Sequence, residues 1–196
     1  MENKNLLNKY AMQYGTCMGI FWIIKFAFFL LGFSIPFLDS FSSLLTIMVP
    51  FVGYYFTRTY RNRYCNGVIS FSHAWLFTTF LYMFAALFTS VVHYIYFRYI
   101  DNGFVANSYY AQLQKYTKKE IDSMGLVYTY LKLAVKIMGT LSPIQMTMQL
   151  LSSNVIYGAI LALPTAFFVK KRRYAPMINN QEDNNQEDNN QEDNKE

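Results

Sequence analysis

Four long blocks of apolar residues dominate the chain, and short polar stretches separate them. The blocks cover about 14–33, 41–57, 71–97 and 144–169. An α-helix needs about 20 apolar residues to cross a hydrocarbon core of about 30 Å. The pattern therefore predicts four transmembrane helices. The second block is the shortest and contains Pro50, which removes a backbone hydrogen bond and predicts a kink.

Two helix starts are marked by side-chain chemistry. Thr117 and Glu120 are spaced as a capping box, in which both side chains satisfy free N–H groups at the start of a helix. Ser142 and Gln145 repeat this spacing immediately before the fourth block, with Pro143 at the first helical position. The sequence thus predicts a helix after Thr117 and a second one that begins at Pro143.

The stretch between the third and fourth blocks, residues 101–142, is too polar to span a bilayer, and we call it the connecting segment. Apolar residues recur in it at steps of three or four, at Val127, Leu131, Ala134, Met138 and Leu141. Lys132 and Lys136 lie one turn apart on another face. This pattern predicts an amphipathic helix that lies at the membrane interface or packs over the mouth of the bundle.

The predicted fold class is all-α, an integral membrane four-helix transmembrane bundle with an outer amphipathic helical segment. The length of 196 residues suits a single domain, here 1–173. A turn is expected over 34–40, where Pro36 and Asp39 interrupt the apolar pattern. Residues 174–196 contain three copies of Asn-Asn-Gln-Glu-Asp. A polar, acidic repeat cannot bury a core, so a disordered tail is predicted.

The charges predict an orientation in the membrane. Basic residues collect at the edges of the apolar blocks, at Lys4 and Lys9, at 58–63 and at 170–173. The positive-inside rule places these edges in the cytosol, with both termini, and turns the connecting segment outward. The basic residues form no stripe interleaved with stacking aromatics, which argues against nucleic acid. The bilayer itself is the predicted partner, together with a protein partner or a second copy of the chain.

Several short motifs occur in a familiar order. They are Tyr14-Gly15 with Gly19, Gly67-Val68-Ile69-Ser70-Phe71 with Ala74, and Tyr94-Ile95-Tyr96-Phe97-Arg98-Tyr99-Ile100-Asp101. With the long polar segment and the last helix that ends in a Lys/Arg cluster, they resemble the domain of unknown function 4199 family of small bacterial membrane proteins. The resemblance covers about 7–173. It implies four helices in a bacterial inner membrane, and it implies no reaction, cofactor or catalytic residue.

Lys25 is the first candidate for a functional residue, because it lies near the middle of the first block. Ionisable side chains inside a membrane are costly and mark functional sites by default. Candidate partners in the fourth block are Ser152, Ser153 and Asn154. Together with Lys25 they form the predicted intramembrane polar site. Alternatively, the Lys25 side chain extends alongside the helix, so that its ammonium group reaches the surface of the membrane.

His93 is a second candidate, near the end of the third block, and it is predicted to lie at an interface, as are Lys132 and Lys136. A lone histidine without a nearby Cys or acid makes no metal site, so no metal ligand is predicted. Gly15 with Gly19 forms a GxxxG motif, which allows close helix approach either within the bundle or in a dimer.

Sequence motifs of known catalytic sites are missing. The chain contains no GxSxG, HExxH or GxxxxGK[ST], and the apolar blocks hold no carboxylate for a proton relay. We therefore predict no catalytic residue and no cofactor. The expected role is structural, accessory or partner-binding, through the connecting segment. The alternative is an oligomeric small channel or transporter with Lys25 and Asn154 near its polar path, and a membrane-embedded enzyme is the third hypothesis.

Overall fold

The structure is a computed structural model that describes residues 2–171, with side chains from Leu6 onward. Its helices are α1 (Glu2–Gly32), α2 (Pro36–Tyr64), α3 (Phe71–Tyr99), α4 (Phe104–Leu113), α5 (Lys118–Met124), α6 (Leu126–Met138) and α7 (Pro143–Val169). Four of them, α1, α2, α3 and α7, are long and apolar enough to cross a membrane. The predicted all-α class with four transmembrane helices is confirmed. The predicted disordered tail, 174–196, lies outside the described residues.

The turn between α1 and α2 is shorter than the sequence pattern indicated. We predicted a turn over 34–40, but α2 already begins at Pro36. Proline at the first position of a helix loses nothing, since its missing N–H would have no partner there. Asp39 lies in the first turn, where a negative charge is favourable next to the helix dipole. The residues that interrupted the apolar pattern are thus helix-start residues.

The central helix of the bundle is α3, which packs against α1 on one side and α7 on another. Its side chains Phe77, Leu81 and Tyr82 are completely buried. Apolar side chains on the outside of the bundle, such as Ile47 and Ile156, are more than half exposed. This distribution suits a lipid environment, in which an outward apolar side chain is solvated by acyl chains.

Glycines set the distance between α3 and its neighbours. A Cβ atom at Gly15 would lie 2.7 Å from the Phe84 Cβ, and one at Gly158 would lie 2.6 Å from the Tyr82 Cβ. Real Cβ atoms do not approach other atoms this closely, so only glycine allows these helices to touch. Of the two roles that the sequence left open for the GxxxG motif, the structure shows packing inside the bundle.

Hydroxyl groups add contacts between the same helices. The hydroxyls of Thr57 and Thr78 lie 2.9 Å apart across α2 and α3. The Thr89 hydroxyl donates to the carbonyl of Gly19, at 3.3 Å, as well as to its own helix. Interhelical hydrogen bonds of this kind are worth about 0.6 kcal/mol on average in a membrane protein. They supplement the close packing at the glycines.

The end of the bundle that holds the 65–70 turn is closed by contacts between distant parts of the chain. Ile69 and Lys171 form an isolated antiparallel bridge with two backbone hydrogen bonds of 3.0 Å. The Arg61 guanidinium donates to the Val169 carbonyl at 2.9 Å. This carbonyl belongs to the last turn of α7, where backbone acceptors have no partner within the helix. The Arg61 side chain therefore has a structural role at this end of the bundle.

The connecting segment covers the opposite end of the bundle. Its first helix, α4, is started by Asp101, whose carboxylate accepts hydrogen bonds from the N–H groups of Gly103 and Val105. Ring contacts of Phe33 with Phe104 and Tyr109 attach α4 to the α1–α2 turn. The two capping boxes that the sequence predicted are both present, at the starts of α5 and α7.

Replacement of Gly158 by Ala tests the close contact of α7 with α3. We expect the free energy of unfolding to fall by about 1–3 kcal/mol, because the added methyl group overpacks a rigid contact with Tyr82. Gly139→Ala is the matched control, since a Cβ atom there would meet nothing closer than 3.6 Å. Denaturation of the purified variants in detergent measures both effects. An equal effect of the two substitutions would contradict the packing described.

Candidate functional site

A cavity of about 590 Å³ lies between the bundle and the connecting segment. Most of its surface is apolar, with aromatic side chains from α1 and α3 and aliphatic ones from α6 and α7. Its polar side chains are Lys25, Ser42, Thr46, Thr89, His93, Tyr109, Gln149 and Asn154. All four transmembrane helices and both α4 and α6 contribute, so the cavity exists only in the folded arrangement.

The cavity forms because α6 is held mainly by its neighbours in the connecting segment. Its main contacts are with α4 and α5, and it has no buried residue. Ala134, Met138 and Leu141 nevertheless line the cavity. These residues belong to the predicted apolar stripe. Part of that stripe therefore packs over the mouth of the bundle, while other members, such as Val127, are more than half exposed.

Lys25 enters the cavity from α1 and is half-buried. Its ammonium lies 5.8 Å from the centre of the Trp22 ring, one helical turn earlier. None of the lining residues is acidic. A lysine near the centre of a transmembrane helix costs about 2.5–3.5 kcal/mol on insertion scales. In this structure the lysine lies at a cavity and near an aromatic ring.

The predicted polar site is brought together only in part. Asn154 lines the same cavity as Lys25. Ser152 and Ser153 do not line it, and Ser152 is exposed on the outside of α7. The reason is helical geometry, because successive residues on a helix point about 100° apart and only one of the three can face the cavity. Gln149 occupies the cavity wall beside Asn154 instead.

We predicted that His93 lies at an interface, and the structure places its side chain inside the bundle. The side chain is 5 % exposed, lines the cavity and packs its ring 4.4 Å from the ring of Phe26. It follows Thr89 by one turn on the buried face of α3, which explains its position. That buried face could have been recognised from the small and hydroxyl residues Ala85, Ala86 and Thr89 at helical spacing.

Lys132 and Lys136 were also predicted to lie at an interface. Both are exposed, and both line a shallow groove between α4 and α6. They lie outside the main cavity. Lys25 is therefore the only charged side chain that contributes to the cavity wall among the described residues.

Two buried ring nitrogens beside Lys25 have no hydrogen-bond partner among the described residues. They are Nε1 of Trp22 and Nδ1 of His93, on side chains that are 6 % and 5 % exposed. A buried polar atom without a partner costs about 1–3 kcal/mol, so native structures seldom leave one. Both residues line the cavity, together with Lys25. Three residues with polar groups thus meet at the cavity, and the two ring nitrogens are buried within its wall.

Tyr109 closes the cavity from α4 and was not found by sequence reasoning. Burial, together with the nearby Asp39 carboxylate, raises the pKa of Tyr109 above its usual value. The phenol therefore stays neutral over the physiological range and acts as a hydrogen-bonding group without charge. No sequence signal separates it from the neighbouring Tyr110, which is about half exposed.

The cavity is equipped to bind an uncharged or negatively charged molecule. It offers one ammonium group, several neutral hydrogen-bonding groups and a large apolar wall. In the part of the chain that the structure describes, no three His, Cys, Asp or Glu side chains are grouped in a way that could hold a metal ion. The carboxylate that would join Lys25 and His93 in an acid–base site is not among the lining residues.

These features define a multi-pass membrane protein whose four-helix bundle carries a cavity beneath a helical connecting segment. The chain belongs to the family described as Protein of unknown function (DUF4199), whose model matches residues 13–171. The family resemblance drawn from the short motifs is thereby confirmed. No curated protein and no solved structure matches the chain.

Access of water to the cavity can be tested with cysteine substitutions in a variant that lacks Cys17 and Cys65. We expect Asn154→Cys to react with a charged maleimide about tenfold faster than Ile156→Cys, because a thiol surrounded by acyl chains cannot ionise to the reactive thiolate. Ile156 is a suitable control, since it lies two residues further along α7 and is 58 % exposed on the outside. Equal labelling rates in membranes would show that the cavity is closed to water.

Proposed function

We propose that this protein is an accessory membrane protein that binds a small, largely apolar molecule between its transmembrane bundle and its connecting segment. The observation that carries this proposal is the cavity itself. Ligand-binding cavities typically measure about 300–1,000 Å³ and combine an apolar lining with a few convergent polar groups. The cavity of about 590 Å³ has both properties. Its polar groups Lys25, His93 and Trp22 lie together and would fix the orientation of a ligand.

The proposed location is a bacterial inner membrane, with both termini in the cytosol. Support comes from the distribution of basic residues in the folded chain. Arg58, Arg61 and Arg63 lie at the end of α2, and Lys170 and Lys171 follow α7 at the same end of the bundle. The positive-inside rule assigns that end to the cytosol. The cavity then opens in the outer half of the membrane, under a connecting segment that faces outward.

A transport function is the second candidate, because Lys25 and Asn154 line one cavity, as a polar path would require. Beyond the cavity, however, the bundle is filled. Trp22 stacks on Tyr82 with ring centres 6.0 Å apart, and Met18 and Phe77 are completely buried behind them. Passage of a solute would require this layer to separate. The described conformation favours a binding site that opens at one end only.

The connecting segment supports an additional role in contact with a partner. Leu126, Tyr130 and Leu133 on α6 are 75 %, 68 % and 51 % exposed. Apolar side chains at such density are costly in water and indicate a covered surface. A protein partner, a second copy of the chain or the membrane interface would each cover it. We propose that contact of this α6 face with one of them holds the connecting segment over the cavity.

Trp22 provides a direct assay for binding, because it lines the cavity and Trp75 is the only other tryptophan. In a Trp75→Phe variant, a brominated single-chain amphiphile is expected to quench Trp22 emission in a saturable manner. Ala134→Phe should reduce the quenching, since the ring would occupy part of the cavity. The matched control is Thr129→Phe, at an exposed position of α6 that does not line the cavity, and it should behave as the parent. Quenching that rises without saturation, and that Ala134→Phe does not change, would contradict the proposal.

A further inference from the structure

The single positive charge in the cavity wall, on Lys25, restricts the chemical class of ligand that the cavity can bind. Resting on the proposed binding function, we infer that the cavity takes an amphiphile with a single acyl chain and one anionic group, a carboxylate or a phosphate. The anionic group lies against the Lys25 ammonium, beside the Trp22 indole and the His93 ring. The acyl chain lies along the apolar wall. Three observations on the cavity wall lead to this assignment.

The first observation is the lone positive charge. Lys25 is half-buried and lies on a helix that is long and apolar enough to cross a membrane. No acidic residue is among those that line the cavity with it. A charge in such surroundings is normally paired, because its hydration is incomplete. A ligand with one negative charge supplies the missing counter-ion. A nucleotide with several phosphates is poorly matched, since it would bring more negative charge than a single ammonium can balance.

The second observation is the pair of ring nitrogens without partners. Nε1 of Trp22 is a hydrogen-bond donor, and Nδ1 of His93 donates or accepts according to the tautomer. The two side chains come from different helices, α1 and α3, and meet in the same cavity. Buried polar groups of this kind are usually satisfied in the functional state. Both nitrogens are buried within the wall, so the rings must turn for the oxygens of a carboxylate or phosphate beside Lys25 to reach them.

The third observation is the apolar character of the remaining wall. Phe29 and Phe97 flank the polar groups, and Ile137, Met138 and Leu150 continue the surface towards α6 and α7. A sugar or an amino acid would leave most of this apolar surface without contacts. A flexible acyl chain would cover it. Because membranes contain such molecules, the ligand need not cross water to reach the site.

The assignment can be tested with Trp22 quenching in the Trp75→Phe variant, at about pH 8, where a carboxylate is ionised. The probes are a brominated fatty acid, the brominated fatty alcohol of the same length and a brominated lysophospholipid whose phosphodiester carries one negative charge. We expect the acid to bind about tenfold more tightly than the alcohol. Comparison of the affinities for the carboxylate and the phosphate probe shows whether the anionic group comes from a free fatty acid or from a lipid headgroup.

Two variants of Lys25 connect the charge preference to this residue. Lys25→Met should make the affinities for the acid and the alcohol equal, and Lys25→Arg should preserve the preference for the acid. Continued saturable quenching by the alcohol in Lys25→Met shows that the cavity is still folded. A preference for the acid that persists in Lys25→Met would overturn the inference. Equal binding of acid and alcohol to the parent would also overturn it while leaving the proposed binding function intact. Failure of all three probes to quench saturably would refute the binding function itself.

Discussion

The close approach of α3 to α1 and α7 is the contact on which the rest of the structure depends. In a bilayer, apolar helices gain little from being removed from lipid, so their association relies on packing and on hydrogen bonds between helices. Gly15 and Gly158 provide that packing, because their missing Cβ atoms allow backbone and ring atoms of α3 to come within van der Waals contact. The buried threonines add hydrogen bonds across the same surfaces.

This packing fills one half of the bundle and leaves the other half open. Tyr82, Phe77 and Met18 form a compact layer in which each side chain is completely buried. Towards the connecting segment, the helices are lined by longer polar side chains such as Lys25 and Gln149, and α6 is attached mainly to α4 and α5. The resulting gap is the cavity. The depth of the cavity and the side chains that line it therefore depend on where the tight packing of the transmembrane helices ends.

Lys25 costs free energy because it places a charged side chain in a transmembrane helix, and the proposed ligand gives this charge a binding role. Its ammonium has no acidic neighbour in the cavity wall, yet it lies beside an indole ring and a buried histidine. None of the residues that line the cavity is a carboxylate that could share a proton with Lys25 and His93. The proposed anionic amphiphile supplies the counter-ion that Lys25 lacks in the cavity wall.

The sequence by itself determined the class of the protein. Four apolar blocks require helices, because only a helix satisfies its own backbone in lipid, and the capping boxes at Thr117 and Ser142 marked two helix starts correctly. The sequence also singled out Lys25 and Asn154. Only the tertiary structure decided that His93 is buried beside them and that Ser152 is excluded. Which face of one helix meets which face of another depends on the packing of side chains far apart in the chain, and a local pattern does not contain that information.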